Sequence, residues 1–471
     1  MSFELYEYKI EDLGKVITGK TPPSKISDAF SAQGIPFVTP KDMDGRRLID
    51  KTERYLSSQG VEAVRNCLLP QNSIAVSCIG SDMGKTVLLP GESITNQQIN
   101  AIVVDSEHFD YKYVYYYLST LQDDFKAIAG GSATPILNKG HFSQFKVSLP
   151  VKPVQNKIAL ILDSLDTKIE VNTEINHTLE QMAQALFKSW FVDFEPVKAK
   201  MAVLESGGSQ ADAMLAAMTA ISGKDADALA VFEREHPEQY AELKATAELF
   251  PSAMRESELG EIPEGWYQTL LSELTGFLNG YAFKSKDWRE TGFPVVKIGS
   301  VKPGFVDLKN CSYIDGIGIK NLERFEVFSG DILVGMTGYP GETGIIPETM
   351  QRVYLNQRVG KFTPLFEFLY SYVYTLVRNN NFKIYVSGQA HGSAQANISS
   401  NDILQYPVVK PNDALLRAFD VVVRNLISLK LKNQAQIQSL EQLRDTLLPK
   451  LLSGEITLPE AEQAVSEVEN V

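Results

Sequence analysis

Two stretches of the chain keep their apolar residues on one helical stripe. In 154–192, Ile158, Ile161, Leu165, Ile175, Leu179, Met182 and Leu186 follow steps of three and four; in 412–452, Phe419, Val422, Leu426, Leu429, Leu440, Leu443 and Leu447 do the same. That period is a heptad seam and predicts two long helices that pair. Neither stretch contains Gly, and Pro449, near the end of the second, is their only Pro. At about 1.5 Å per residue, some forty helical residues make a rod of about 60 Å. The segments 1–150 and 263–410 have another rhythm. Ser73–Val76, Thr86–Leu89, Ala101–Val104, Asp331–Val334 and Gly344–Ile346 are short β-branched runs broken by Gly, Pro, Asn and Asp, and they predict strands and turns. Tyr111–Leu121 and Leu365–Val377 predict helices, so each segment is a compact α/β domain.

The two domains are copies of one plan. Ile35-Pro36-Phe37-Val38 recurs as Phe293-Pro294-Val295-Val296, and Ser73-Ile74-Ala75-Val76 as Asp331-Ile332-Leu333-Val334, both 258 residues on. Asn96-Gln97 recurs as Asn356-Gln357, Gly131-Ser132-Ala133 as Gly392-Ser393-Ala394, and Leu179-Glu180-Gln181 as Leu440-Glu441-Gln442. The matches keep their order, with offsets of 258 to 261 residues, which marks a duplication. Asn172 and Asn433 share equivalent seam positions 261 residues apart. A buried polar residue in a seam can fix register at a cost in stability, and we expect these two to set the register of an antiparallel pair. Between the halves, 197–262 is rich in Ala and Glu, with 210–248 patterned as short exposed helices. It predicts a connector rather than a third core.

The chain of 471 residues is long enough for several structural units, and its net charge of −13 argues at first against a nucleic-acid partner. The distribution changes that picture. Residues 201–260 carry 4 basic and 11 acidic residues and the tail 455–471 carries 5 acidic and none basic, which together give −12 of the −13. Residues 1–150 have 15 basic and 17 acidic residues, and 261–410 have 14 of each, so both α/β domains are near neutral. Three cysteines, Cys67, Cys78 and Cys311, form no CxxC pair, which fits a reducing compartment. With no signal peptide and no apolar run long enough for a membrane span, the expectation is a cytoplasmic protein without a membrane partner.

Catalytic motifs are missing. Gly80-Ser81-Asp82-Met83-Gly84-Lys85-Thr86 looks like a phosphate-binding loop, but only three residues separate its glycines, and a strand rather than a helix should follow. We read it as a tight hairpin with Gly84 in the turn. His108, His141, His177, His236 and His391 are scattered without metal-ligand spacing, so no metal site is expected. No glycine-rich dinucleotide loop and no nucleophile elbow occur.

Three motifs carry a family resemblance. Leu443-Arg444-Asp445-Thr446-Leu447-Leu448-Pro449-Lys450-Leu451-Leu452-Ser453-Gly454-Glu455 ends the second helix, Phe191-Val192-Asp193-Phe194-Glu195-Pro196-Val197 follows the first, and Leu259-Gly260-Glu261-Ile262-Pro263-Glu264-Gly265-Trp266 leads into the second domain. With the duplicated plan, they resemble the specificity subunit of type I restriction-modification enzymes. The first half lacks the Gly-Trp lead-in and begins directly at Phe3–Leu13. The resemblance implies an α/β fold of two duplicated globular target recognition domains separated by two long conserved helices that form an antiparallel coiled coil. Along the chain it implies a first recognition domain at 1–150, a proximal helix at 151–196, the acidic connector at 197–262, a second recognition domain at 263–410, a distal helix at 411–456 and an acidic tail at 457–471.

That resemblance also implies a division of labour. Each recognition domain would read one half of a bipartite, asymmetric sequence in double-stranded DNA. Two modification subunits would dock on the helices and methylate adenine, and restriction subunits would add translocation and cleavage. S-adenosylmethionine, ATP and Mg would belong to those partners, leaving this chain without a cofactor or catalytic residue. The helices would act as a ruler, so one heptad added to both should change the spacer and neither half-site. A coiled-coil scaffold that binds only protein is the alternative; it predicts no sequence-specific DNA binding even beside a methyltransferase.

Base reading calls for Asn or Gln at adenine and Arg or Lys at guanine, and phosphates are held by Lys, Arg, Ser, Thr or backbone N–H. In the first domain the candidates in turn-like segments are Lys20, Lys41, Arg46, Arg47, Ser81, Lys85, Gln97, Gln98, Thr134, Asn138 and Lys139. In the second they are Lys284, Lys286, Lys297, Ser300, Lys302, Tyr339, Gln357, Arg358, Ser393, Gln395 and Asn397. The loops Gly130–Lys139 and His391–Asn401 are the foremost of these. The aromatic runs Tyr111–Tyr117 and Phe366–Tyr374 are expected in the core. Phe187, Trp190, Phe191 and Phe194 end the first helix and are expected to pack within the chain or against a partner.

Overall fold

In a computed structural model of the chain, the residues described are 3–129, 136–258, 260–309, 311–338, 340–390 and 396–469. They form two compact units, one of residues 1–170 with 438–471 and one of residues 171–437. The two long helices span Lys152–Phe191 and Asp413–Ser453, and each contributes residues to both units.

In the first unit, Gly14–Thr18, Ile99–Val104, Ser73–Ser77 and Thr86–Leu89 lie side by side in an antiparallel sheet. A second sheet orders Phe30–Ser31, Tyr55–Leu56, Ile35–Val38 and Ile94–Thr95, its last pair parallel with Phe37 opposite Ile94. Tyr6–Lys9 pairs with Lys146–Leu149. Ser73–Ser77 is buried along its whole length, which explains why it reads as a continuous short run rather than an alternating one. The helix Tyr111–Ser119, capped by the Asp110 carboxylate accepting from the Tyr113 N–H, buries Tyr113, Val114, Tyr115, Tyr116 and Leu118. Its core takes in Ile158, Leu162 and Leu165 of the first long helix and Leu440, Leu447 and Leu451 of the second. Each such side chain stabilises by about 2 kcal/mol.

The second unit repeats this plan, with one more strand, Glu326–Val327, at the edge of its mixed sheet and two further strand pairs, Val301–Lys302 with Phe305–Val306 and Met254–Ser257 with Gly260–Pro263. Thr275–Asn279, Val359–Pro364, Ile332–Gly335 and Thr343–Ile345 form the antiparallel sheet, and Val295 pairs in parallel with Tyr354, as Phe37 does with Ile94. Tyr267–Leu270 pairs with Pro407–Lys410, 261 residues beyond Tyr6–Lys9 and Lys146–Leu149. The Gly80–Thr86 stretch is the hairpin expected: Gly84 has φ +83°, and a Cβ there would lie 2.7 Å from Gln122 Cα.

The two long helices run antiparallel. Asp166 meets Arg444 in the first unit; in the second, Asn172 meets Gln436, Glu180 meets Lys430 and Trp190 meets Phe419, so partners descend on one helix as they ascend on the other.

Four expectations differ from what is observed. Ile175, Met182, Val422 and Leu429, placed in the seam, are 41, 48, 45 and 51 % exposed. The buried stripe in the second unit is instead Asn172, Asn176, Ala183, Phe187 and Trp190 against Phe419, Val423, Ile427 and Lys430. A strict heptad drifts by about 20° per repeat on a straight helix, and here the bulky aromatics set the phase. The segment read as a connector has, after the helix Glu195–Glu205, the short helices expected over 210–248, Gln210–Ser222, Ala226–Glu235 and Pro237–Glu248, but they share a small core of Ala217, Met218, Leu229 and Ala247. Most of the acidic tail is the helix Leu458–Glu469, which buries Ala461. The helix expected over 365–377 spans Tyr370–Arg378, after a 3-10 turn at Glu367–Leu369.

Candidate nucleic-acid interface

In each domain the polar loops gather at strand ends through the same backbone bonds. In the first, Asn96 N–H donates to the Val38 carbonyl, Cys78 N–H to the Gln98 carbonyl (2.8 Å) and Leu137 N–H to the Cys78 carbonyl (3.0 Å). That ladder joins Lys41, Gln97, Gln98 and Asn138 into one region, and Lys20 N–H joins it at Thr95 O (2.9 Å). Thr39, Pro40, Lys41, Glu53, Arg54, Asn96 and Gln98 line a cleft of about 360 Å³. The Arg54 guanidinium is held over the rings of Phe30 and Phe37, 4.6 and 5.3 Å from their centres. Gln97 accepts a 2.7 Å bond from the Thr21 hydroxyl. Lys20, Lys41 and Lys139 are exposed. Burial raises the Cys67 thiol pKa, and the positive charges of Lys20 and Lys139 partly oppose it.

The remaining first-domain candidates are occupied to different degrees. Arg46 is exposed but pairs with Asp44 (3.0 Å) and Asp50 (3.4 Å). Lys85 pairs with Asp82 (2.7 Å), and Ser81 is exposed beside it. Asn138 caps the helix Lys139–Gln144 by accepting from the His141 N–H. Thr134 lies outside the described residues.

Arg47 is a correction. Its side chain is 11 % exposed and reaches inward, to Asp163 (2.6 Å) and Glu170 (2.9 Å) on the first long helix and to the Tyr116 hydroxyl (3.2 Å). Carboxylates at 163, 166 and 170 share one helical face, so a single guanidinium can span them. Burial lowers the Arg47 pKa, but Glu170, Asp163 and Asp166 outweigh it and hold the group charged. Arg47 therefore fastens the domain to the helix, and its guanidinium is engaged there rather than presented at the surface.

In the second domain, Lys284, Lys286, Lys302, Gln357 and Arg358 are exposed. Met336 N–H donates to the Arg358 carbonyl (3.0 Å), and Ile398 N–H to the Met336 carbonyl (3.0 Å), which repeats the Gln98–Cys78–Leu137 ladder. Asn397 lies beside that ladder and accepts from the Thr337 hydroxyl (3.0 Å). Ser300 is also a correction: it is 2 % exposed, its hydroxyl near the Cys311 thiol, because its turn faces the core. Lys297 is half-buried over Trp288 (3.8 Å to the ring centre) and donates to Ser312, so its ammonium is engaged. Tyr339, Ser393 and Gln395 lie outside the described residues, as do 130–135 and 391–395 of the two foremost loops.

Sequence reasoning missed Arg54, Asn96 and Asn356. The repeated Asn-Gln pair marked the duplication, yet only its glutamines were taken as candidates. The asparagines build the turns: Asn96 Oδ1 accepts from Gln98 N–H (3.0 Å) and Asn356 Oδ1 from Arg358 N–H (3.3 Å).

On the helix pair, Asn172 is buried and donates to Gln436 Oε1 (2.8 Å), one turn from the half-buried Asn433. Phe187, Trp190, Phe191 and Phe194 pack inside the second unit with Phe250, Trp266, Tyr372 and Phe419. That is the intramolecular outcome. Tyr113, Tyr116, Tyr372 and Tyr374 are core residues as expected, whereas Phe366 is exposed and stacks on Phe368.

Two α/β domains with one backbone plan and different loop side chains, each packed on segments of both long helices, define a protein with a duplicated recognition domain. Residues 4–181 and 263–437 match the family described as the type I restriction modification DNA specificity domain, and the chain belongs to that family. It is 32% identical over 322 residues to the HindI specificity subunit of Haemophilus influenzae, covering 67% of this chain and 70% of that one. It is 24% identical over 460 residues to the MjaIX specificity subunit of Methanocaldococcus jannaschii, covering 96% and 93%. The crystal structure of a type I restriction-modification S subunit from M. genitalium shares the fold, with a TM-score of 0.51 at 15% identity over 96% of both chains. No helix among the described residues is long and apolar enough to cross a membrane.

Proposed function

We propose that this chain is the specificity subunit of a type I restriction-modification complex, acting in the cytoplasm. Each domain reads one half of a bipartite, asymmetric target in double-stranded DNA. The long helices carry two modification subunits, and restriction subunits join that core. S-adenosylmethionine, ATP and Mg are bound by those partners, which supply adenine methylation and DNA cleavage. The observation that carries this reading is the repeated ladder of strand-end loops with non-identical side chains. A common scaffold can dock on DNA twice in the same way, and differing side chains make the two half-sites unlike.

The test is co-expression of the chain with its modification subunits, followed by genome-wide mapping of methyladenine. A single bipartite motif with a fixed spacer is expected. An assembled complex that methylates no specific motif would overturn the reading in favour of a protein-only scaffold.

A further inference from the structure

The triplets Asn96-Gln97-Gln98 and Asn356-Gln357-Arg358 are held by matching bonds. Asn96 N–H donates to Val38 O (3.0 Å) and Asn356 N–H to Val296 O (3.1 Å). Ile99 N–H returns to Asn96 O (3.2 Å) and Val359 N–H to Asn356 O (2.9 Å). Gly19 N–H donates to Ile99 O (3.1 Å) and Gly280 N–H to Val359 O (3.3 Å). Both glycines are needed at that approach, since a Cβ on either would lie 2.2 Å from the asparagine carbonyl oxygen. The third residue of each triplet therefore occupies the same place on the same scaffold.

Within the triplets only that third residue differs. An asymmetric target needs chemistry that differs between equivalent places, and here one domain has an amide where the other has a guanidinium. Gln98 lines the cleft beside Lys41 and Arg54, and its Oε1 accepts from Asn96 Nδ2 (3.1 Å), which orients the amide. Arg358 is exposed, and no described side chain pairs with its guanidinium. A glutamine amide matches the N6 and N7 edge of adenine, and an arginine fork matches O6 and N7 of guanine.

We propose that Gln98 and Arg358 are one specificity-determining position used twice, with Gln98 reading an adenine in the first domain's half-site and Arg358 a guanine in the second's. This rests on the function proposed above. The experiment maps methyladenine for the full chain co-expressed with its modification subunits, as wild type, Gln98→Arg, Arg358→Gln, Gln98→Ala and Arg358→Ala. Gln98→Arg is expected to change one position of one half-site from A to G, with roughly a 10- to 100-fold loss at the original site. Arg358→Gln should change one position of the other half-site from G to A, and the alanine variants should relax those same positions. A bipartite wild-type motif that all four variants leave unchanged overturns the inference and leaves the function standing. So does a uniform fall at every site with an unchanged motif, which marks phosphate contacts. Loss of all methylation by the arginine or glutamine swap, while the alanine variant keeps the original motif, also overturns it. A wild-type complex with no motif overturns both.

Discussion

Glu180 carries more of the second unit's stability than any surface charge could. Its carboxylate accepts from Lys430 Nζ (2.7 Å), from Arg378 Nε (3.0 Å) and from the Tyr374 hydroxyl. Lys430 also donates to Gly304 O (3.0 Å), and Arg378 to Thr343 O (3.0 Å), so the cluster joins both long helices to the recognition domain within that unit. The three charged side chains are 9 to 15% exposed. At about 3 Å and an effective dielectric of about 20, each pair is worth roughly 5 kcal/mol before desolvation. Glu180→Gln keeps the shape and leaves two cations facing each other in a buried site. Breaking a buried pair in this way costs about 3–5 kcal/mol. All three tryptophans, Trp190, Trp266 and Trp288, belong to this unit, so their fluorescence during urea unfolding of the full chain reports on it. Replacing both Glu180 and Lys430 by Leu should recover part of the loss. A Glu180→Gln chain within about 1 kcal/mol of wild type would refute the reasoning. The pH dependence follows from the same geometry. Burial pushes the Glu180 carboxyl up, but Lys430 and Arg378 outweigh it and hold it below the usual carboxylate range. Its contribution is therefore present above the unfolded value and is lost as pH falls through the folded one, and Glu180→Gln should flatten that acid limb.

Arg47→Ala should destabilise the first unit by about 2 kcal/mol, seen as faster amide exchange across 1–170, because it removes the cation shared by Asp163, Asp166 and Glu170 and leaves Asp163 to Lys112 and Asp166 to Arg444. The salt dependence of DNA binding by the assembled complex should not change; a shallower slope would mean that Arg47 does meet phosphate. Gly84→Ala should cost more than about 1 kcal/mol, since φ is +83° and the new Cβ meets the Gln122 backbone; unfolding of the full chain followed by circular dichroism checks it. Replacing both Asn172 and Asn433 by Leu should raise stability while yielding more than one oligomeric state on size-exclusion chromatography with light scattering. A single unchanged state would remove these residues from the control of register.

The fold was legible where local pattern and burial agree. Short β-branched runs became strands, and Gly84 became a turn. The heptad stripe located both long helices and, in the first unit, their buried residues Ile158, Ile161, Leu165, Leu440 and Leu447; in the second unit Phe187 and Trp190, packed on Phe419, shift the buried face through tertiary packing that the period does not encode. Arg47 and Ser300 looked like loop donors, yet Arg47 is buried by carboxylates more than a hundred residues away on the first long helix, and Ser300 by a turn that folds it inward near Cys311. The Asn96 and Asn356 turns were visible as a repeat. Their role emerged only from the bonds that set Gln98 and Arg358 on equivalent scaffolds.

The distribution of charge along the chain bears on how such a subunit finds DNA. The two recognition segments are near neutral, and the acid is concentrated in 201–260 and 455–471. Sequence-independent affinity grows with the number of phosphates neutralised, each adding about 0.9 to the slope of log K against log salt. Among the candidate residues, Lys20, Lys41 and Lys139 in the first domain and Lys284, Lys286, Lys302 and Arg358 in the second are exposed cations able to do this. With both recognition segments near neutral and an overall charge of −13, the isolated chain should bind duplex DNA weakly and with a shallow salt slope. In the proposed complex, partner subunits that add phosphate contacts should steepen the slope while base preference stays with this chain. Titrating a labelled duplex carrying the mapped motif at several salt concentrations, with the chain alone and with the complex, measures both slopes. Equal slopes would mean that this chain supplies the phosphate contacts itself, against what its charge predicts.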